Sequence, residues 1–272
     1  MFITPIILSL QTAIGLAAAP AVPVAAVLRT YQDTHASQGV AVDTRSIYAV
    51  SNSKIVKFDK RTGIQTGQWS GDPARHPHIN SCAVIAADLV CASSNYPAVP
   101  MRSTVEVFNP KTMTLIRSIP LEGAPGSVTW IDRRAGSWWV GFANYDAKGG
   151  EPGRDHTFTA MVQYDNAWRP KASWGFPASV LERFKPYSTS GGGFGGDGLL
   201  YVSGHDRPEL YALRVPAAGG ELTHLATIPI AVDGQAIAWD RGKKRVLYGI
   251  SRASGAVVAM RVPAVGRRPQ EK

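Results

Sequence analysis

The chain has 272 residues, 18% charged and 44% hydrophobic, which excludes a disordered composition and suits a single all-β domain. Its formal charge of +9 leaves two readings: attraction to anionic surfaces or substrates, or solvated basic turns such as Arg45, Lys60, Arg61, Arg133, Arg134 and the stretch 241–245. No nucleic-acid motif accompanies the charge, so nucleic acid is not an expected partner.

In chain order, residues 1–26 read as a signal peptide or an uncleaved N-terminal anchor. Phe2 to Ala19 is apolar and Ala17, Ala18 and Ala19 resemble a cleavage region, although the first basic residue is Arg29. Ser9, Gln11, Thr12 and Pro20 interrupt the run, so a stable membrane span is not expected and a secreted or periplasmic location is. The next segment, Ala25 to Thr30, is strand-like. From Gly39 onward strand-like pieces recur in groups of up to four, rich in Val, Ile, Tyr, Trp and Phe. Group starts fall at Gly39, Ser81, Ser127, a glycine-rich stretch near Ser190, and Gln235. A period of ~40–45 residues is that of a four-stranded propeller blade. The third unit is longer, carrying the insertion Asp146 to Thr159 and a short helix-like piece from Ser179 to Pro186, where a sixth, degenerate blade is the alternative.

The predicted fold is therefore an all-β, five-bladed β-propeller over residues 27–263, with 264–272 a disordered basic tail. The fifth group has only three strands, and the piece before Thr30 can add its outer strand and close the ring, leaving no long free edge. Cys82 and Cys91 lie on the two arms of a predicted hairpin and face each other, as a cross-strand disulfide or as two buried thiols. A monomer is expected.

Propeller geometry sorts the loops. Those leading into the innermost strands, and those joining second to third strands, emerge on one face. They carry His35, Gln38, His78, Asn80, Ser190 and Gln235 in the first set, and Asn95, Tyr96, Arg154, His205, Asp206 and Arg252 in the second. Loops on a rigid scaffold are where binding groups gather, and convergent polar groups around a concavity mark a site. The basic turns fall on the opposite face.

Several phrases go beyond a generic pattern: His35-Ala-Ser-Gln-Gly-Val-Ala-Val-Asp43, His78-Ile-Asn-Ser81, Ser94-Asn-Tyr-Pro97, Val128-Thr-Trp-Ile-Asp132, Ser203-Gly-His-Asp206 and Gly234-Gln-Ala-Ile-Ala-Trp-Asp240. Over residues 30 to 262 the chain resembles a family of uncharacterised secreted propellers with cycloisomerase-like or WD40-like labels. The resemblance implies the fold and not a reaction, because propellers host unrelated functions.

Under a catalytic reading, His35, His78, His205 and Asp206 supply acid/base groups for a lyase, isomerase or hydrolase. Gln38, Asn80, Asn95, Tyr96, Arg154, Ser190, Gln235 and Arg252 would then bind a small polar or carbohydrate ligand. No cofactor is required by the sequence, though a divalent metal on His35, His78 and His205 is a second version. A third class is a non-catalytic glycan- or protein-binding module, with Tyr96, Tyr145 and Tyr187 as stacking surfaces. No nucleophile elbow, phosphate loop or HExxH motif is present.

Overall fold

The computed structural model describes residues 23–266. Residues 1–22 of the predicted leader and the last six residues of the predicted tail lie outside the described residues, while Ala26, at the end of the predicted leader, belongs to the first strand. Within the described residues, five sheets, antiparallel except at one short strand, form a ring. Blade 1 holds β2 (Gly39–Val42), β3 (Ser46–Ser51), β4 (Lys54–Asp59) and β5 (Gln65–Ser70). Blade 2 holds β6 (His78–Ile85), β7 (Asp88–Ser94), β8 (Ser103–Asn109) and β9 (Thr114–Pro120). Blade 3 holds β10 (Ser127–Arg134), β11 (Ser137–Ala143), β12 (Ala160–Tyr164) and β13 (Pro170–Gly175). The helix α1 (Ala178–Phe184) leads to blade 4, which holds β14 (Gly191–Phe194), β15 (Leu200–Ser203), β16 (Glu209–Arg214) and β18 (Thr223–Pro229). Blade 5 holds β19 (Ala238–Trp239), β20 (Val246–Ser251) and β21 (Ala256–Arg261), and β1 (Ala26–Tyr31) pairs with β21 as its outer strand. The ring closes as the sequence suggests.

The count of five blades agrees with the sequence expectation: among the described residues no sixth blade forms, because the blade 3 insertion folds into one turn of 3-10 helix at His156–Phe158 instead of strands. Two features differ from it. A short strand, β17 (Gly220–Glu221), leaves blade 4 and pairs in parallel with β13, so blade 3 gains a fifth strand and the seam is latched. The inner strand of blade 5 starts only at Ala238, since Gln235 has a left-handed backbone (φ +67°) that a ladder cannot accept.

Both faces of each blade are apolar, so every seam has a core. Val50 and Ile55 of blade 1 pack on Ile79, Leu89 and Phe108 of blade 2. Trp130 and Met161 of blade 3 pack on Leu200, Val202 and Tyr211 of blade 4. Tyr248 and Val257 of blade 5 pack on Val40, Ile47 and Val56 of blade 1, sealing the ring. Each such side chain contributes about 1.5–3 kcal/mol of hydrophobic stabilisation. Cys82 and Cys91 are bonded to each other across the β6–β7 register, which resolves the sequence alternative in favour of a disulfide. The glycine run of β14 is a packing device. A Cβ on Gly192 would lie 2.5 Å from the Trp130 ring, and one on Gly191 would lie 2.7 Å from the backbone nitrogen of Ile237.

Candidate functional site

The two predicted loop sets do meet on one face, and hydrogen bonds tie them across the seams. Between blades 1 and 2, His78 bonds Asn52 (2.9 Å). Between blades 4 and 5, Gln235 donates its side-chain amide to the His205 carbonyl (3.0 Å). Between blade 5 and the run into blade 1, Thr34 donates to the Gly255 carbonyl (2.6 Å). At the far end of the channel the inner strands converge on Asp132. Its buried carboxylate accepts from Arg241 (2.6 Å) and from the Phe194 backbone amide (2.7 Å). An ion pair thus stands beside the base of the channel, and the opposite mouth is where polar loops remain exposed.

His205 dominates that mouth. It sits in the β15–β16 loop, with its ring stacked on Tyr187 (centroids 4.0 Å apart). Nδ1 faces Asp206 Oδ1 at 2.5 Å, and Arg252 Nη1 lies 3.2 Å from Nε2. A guanidinium can only donate, so Nε2 carries the lone pair and Nδ1 carries the proton it gives to Asp206. Burial holds the imidazole below its ordinary pKa; Asp206 works against that shift and Arg252 adds to it. The result is a neutral ring, about a quarter of its side chain exposed, with its basic nitrogen toward the rim.

The local backbone explains how the loop is held. Gly234 is left-handed (φ +74°), and a Cβ there would lie 2.5 Å from the Gly204 carbonyl oxygen. Only glycine lets the lead-in to blade 5 press this closely against the His205 loop. Gln235 follows, also left-handed, pinned by its amide to Gly204 O (2.8 Å) and by Ser203, which donates to its carbonyl (2.5 Å).

His78 faces a different environment. It is 9% exposed, with Nδ1 on Asn52 and Nε2 on the side-chain amide of Asn80 (3.3 Å). Burial, with a smaller contribution from the nearby His205, lowers its pKa to about 4. Its ring begins an aromatic row: His78 to Tyr96 and Tyr96 to Tyr145 are each 5.0 Å between centroids. Burial raises the Tyr96 phenol, with Tyr187 adding to the shift, so the row approaches the Tyr187–His205 stack. Burial also pushes the Tyr145 phenol up.

The other sequence candidates divide. Asn80 and Tyr96 join the cluster around His78, and Asp206 and Arg252 join His205. Gln235 is buried beneath the His205 loop and bonds its backbone. Gln38 accepts the Ala236 amide through its carbonyl (3.2 Å), and Ser190 is buried at the start of the fourth inner strand. Asn95 spends its side chain closing its own loop, donating to Pro100 O and accepting from the Arg102 amide. Arg154 ties the insertion to the Pro125 carbonyl (3.0 Å). His35 is exposed and left-handed (φ +55°), and its ring contacts neither other histidine. The three histidines therefore do not offer a metal three free, converging nitrogens. The group that could hold a metal lies elsewhere, in the blade 3 insertion: Asp146, Asp155 and His156 have ligand atoms within 4.8 Å of one another. Its carboxylates are already employed, Asp146 on the His156 ring (2.6 Å) and Asp155 as the cap of the 3-10 turn.

Loop geometry assigns Ser127 and Ser188 to this face, but not the pairing of the buried hydroxyls below the rim: Ser127 donates to Ser94 (2.9 Å), and Thr159 bonds Ser188 (2.5 Å). The partner of a hydroxyl has no signal in the sequence.

No family model and no curated protein matches the chain. Solved structures do. A PQQ-bound aldose sugar dehydrogenase from Streptomyces coelicolor matches with a TM-score of 0.57 at 11% identity, over 90% of this chain and 99% of that one. A luciferin-regenerating enzyme matches with a TM-score of 0.51 at 10% identity, over 88% and 96%. A chain of the mitotic checkpoint complex matches with a TM-score of 0.50 at 10% identity, over 96% and 100%. At these identities the likeness is one of architecture. The resemblance to an uncharacterised family is thereby supported as far as the fold, and the chain is a five-bladed β-propeller.

Proposed function

We propose that this is an exported propeller whose loop-bearing mouth carries out acid/base chemistry on a small polar ligand, with a carbohydrate the best fit. The observation that carries the reading is the Asp206–His205–Arg252 chain. The proton on Nδ1 is held by a carboxylate, which stabilises the imidazolium formed when Nε2 takes a proton. Arg252 is exposed, so its guanidinium can leave Nε2 for an oxygen of the ligand and open the base in the same movement. His78, neutral and bonded to two asparagines, orients and does not exchange protons near neutral pH. Proton abstraction by His205 suits elimination, isomerisation or activation of a hydrolytic water. Export rests on the apolar, alanine-rich leader and agrees with the disulfide, which an oxidising compartment favours.

The aromatic row of Tyr96 and Tyr145 and the Tyr187 stack favour a second reading, a glycan-binding propeller without chemistry. One experiment separates the two. Wild-type protein and His205→Asn are screened for binding on a glycan array, and the ligands bound are then analysed for products by mass spectrometry. Catalysis predicts products from wild type alone with binding kept in the variant. Binding by both with no product from either supports the module, and no binding by either rules out the carbohydrate. N-terminal sequencing of the exported chain checks cleavage of the leader.

A further inference from the structure

The face opposite this mouth has a cleft of its own, at the seam where blade 5 meets blade 1, with a volume of about 600 Å³. Arg29, Arg45, Arg61, Lys243 and Arg261 line it, and all five are exposed. Among the described residues none of the five forms an ion pair. The lining carboxylate, Asp59, is taken up by its own turn, accepting from the Arg61 and Thr62 amides and the Thr62 hydroxyl. Lys60, also at the cleft, is neutralised by Asp240 (2.7 Å). The charge of Asp59 offsets one of the five, so a net excess of four positive charges surrounds one concavity, an arrangement that favours entry of an anion.

The cleft is also pre-shaped. The Arg29 guanidinium lies 4.4 Å from the centre of the Tyr31 ring and donates Nη1 to the carbonyls of Lys60 (3.3 Å) and Arg61 (2.9 Å). Its remaining N–H groups are held in a fixed fork, the geometry that takes two oxygens of a phosphate or sulfate. Tyr31 and Tyr248 stack behind it, centroids 6.4 Å apart, and Leu28 lies nearly half exposed at the rim. These walls suit the organic body of a ligand, and the volume suits a small molecule.

We infer that this seam cleft is a second ligand site, for a soluble small molecule bearing two or more phosphate or sulfate groups. One carboxylate would leave most of the charge unmet, whereas two dianionic groups match it. The site is independent of chemistry at the mouth.

The test is calorimetric titration of the full chain in about 150 mM NaCl, which screens diffuse attraction. The probes are a hexose bisphosphate, a disulfated disaccharide and inorganic phosphate, with vesicles of phosphatidylglycerol and phosphatidylcholine as a separate arm. Arg45 and Lys243 make no side-chain hydrogen bond among the described residues, so Arg45→Gln/Lys243→Gln should fold. It is expected to weaken binding of the doubly charged probes about tenfold or more. A double variant of equal charge on blade 2, Lys111→Gln/Arg117→Gln, is expected to change it less than about twofold. Arg61→Gln gives an independent reading should the first double variant fold poorly. Equal losses in both double variants, no binding of either doubly charged probe by wild type, or binding to vesicles alone would each overturn the proposal.

Discussion

Two histidines stand at the same mouth in opposite conditions. His78 is enclosed, held by two neutral amides and kept uncharged down to about pH 4. His205 is partly exposed and held by a carboxylate on one nitrogen and a guanidinium on the other. The first arrangement fixes a ring; the second prepares one to change charge. Beneath His78 the inner hairpin is braced by a disulfide, whereas the His205 loop depends on a left-handed glutamine and a glycine contact. One half of the mouth is braced by a covalent bond and the other by hydrogen bonds and close backbone contact alone.

That contrast can be broken by experiment. The largest effect falls on turnover: for a ligand converted by the protein, His205→Asn should lower kcat by about 10²–10⁴-fold, the usual contribution of a general base. An equal loss on substituting His78 would erase the distinction. Next comes acid stability. His78 has a folded pKa of about 4 against an ordinary 6.5, so the unfolded chain takes up a proton first as pH falls. Stability is therefore full above pH 6.5 and declines toward pH 4, by about 3 kcal/mol for this group. Urea denaturation at several pH values should show the decline in wild type and a smaller one in His78→Gln; identical slopes would contradict the assignment.

Removing the disulfide with Cys82→Ala/Cys91→Ala should cost about 2–3 kcal/mol, read from the urea midpoint. Hydrogen exchange should then quicken in the β6–β7 hairpin more than in the His205 loop; a uniform change would show that bracing is not local. The smallest effect concerns Arg252. It depresses the His205 pKa, so Arg252→Ala should raise it, seen by NMR titration of the imidazole. A downward move would mean that Asp206 no longer faces the ring.

Much of this fold was legible because a propeller repeats its signals. Turn residues between short Val- and Tyr-rich runs mark strands, and the missing fourth strand of the last group points to the segment before Thr30. β17 was not legible: Gly220 and Glu221 have no strand propensity and are extended only because β13 lies alongside. Nor was the late start of β19, since a left-handed glutamine follows from contacts made far away in the chain. At the mouth, loop geometry predicted which loops share a face, and His205 and Asp206 are in contact there. It could not tell that Asn95 is used up within its own loop and Arg154 on the Pro125 carbonyl of another, because a polar side chain shows its partner only in three dimensions. The exposure of His35 was hidden for a related reason: its left-handed backbone turns with the loop, and the residue stays in solvent.

The closing strand has a consequence for the order of folding. The four main strands of each of blades 1 to 4 are consecutive in the chain apart from the short β17, but blade 5 joins β1 to β21, and the neighbouring bond from Thr34 to Gly255 spans 221 positions. Loop closure over that distance brings no contacts until both ends arrive, so ring completion is expected to be a late step of folding. On the ribosome, four blades can assemble while β1 waits unpaired for the last strand to emerge. A circular permutant opened at the exposed turn around Arg61 would make blade 5 contiguous and transfer the wait to blade 1, leaving the finished ring unchanged.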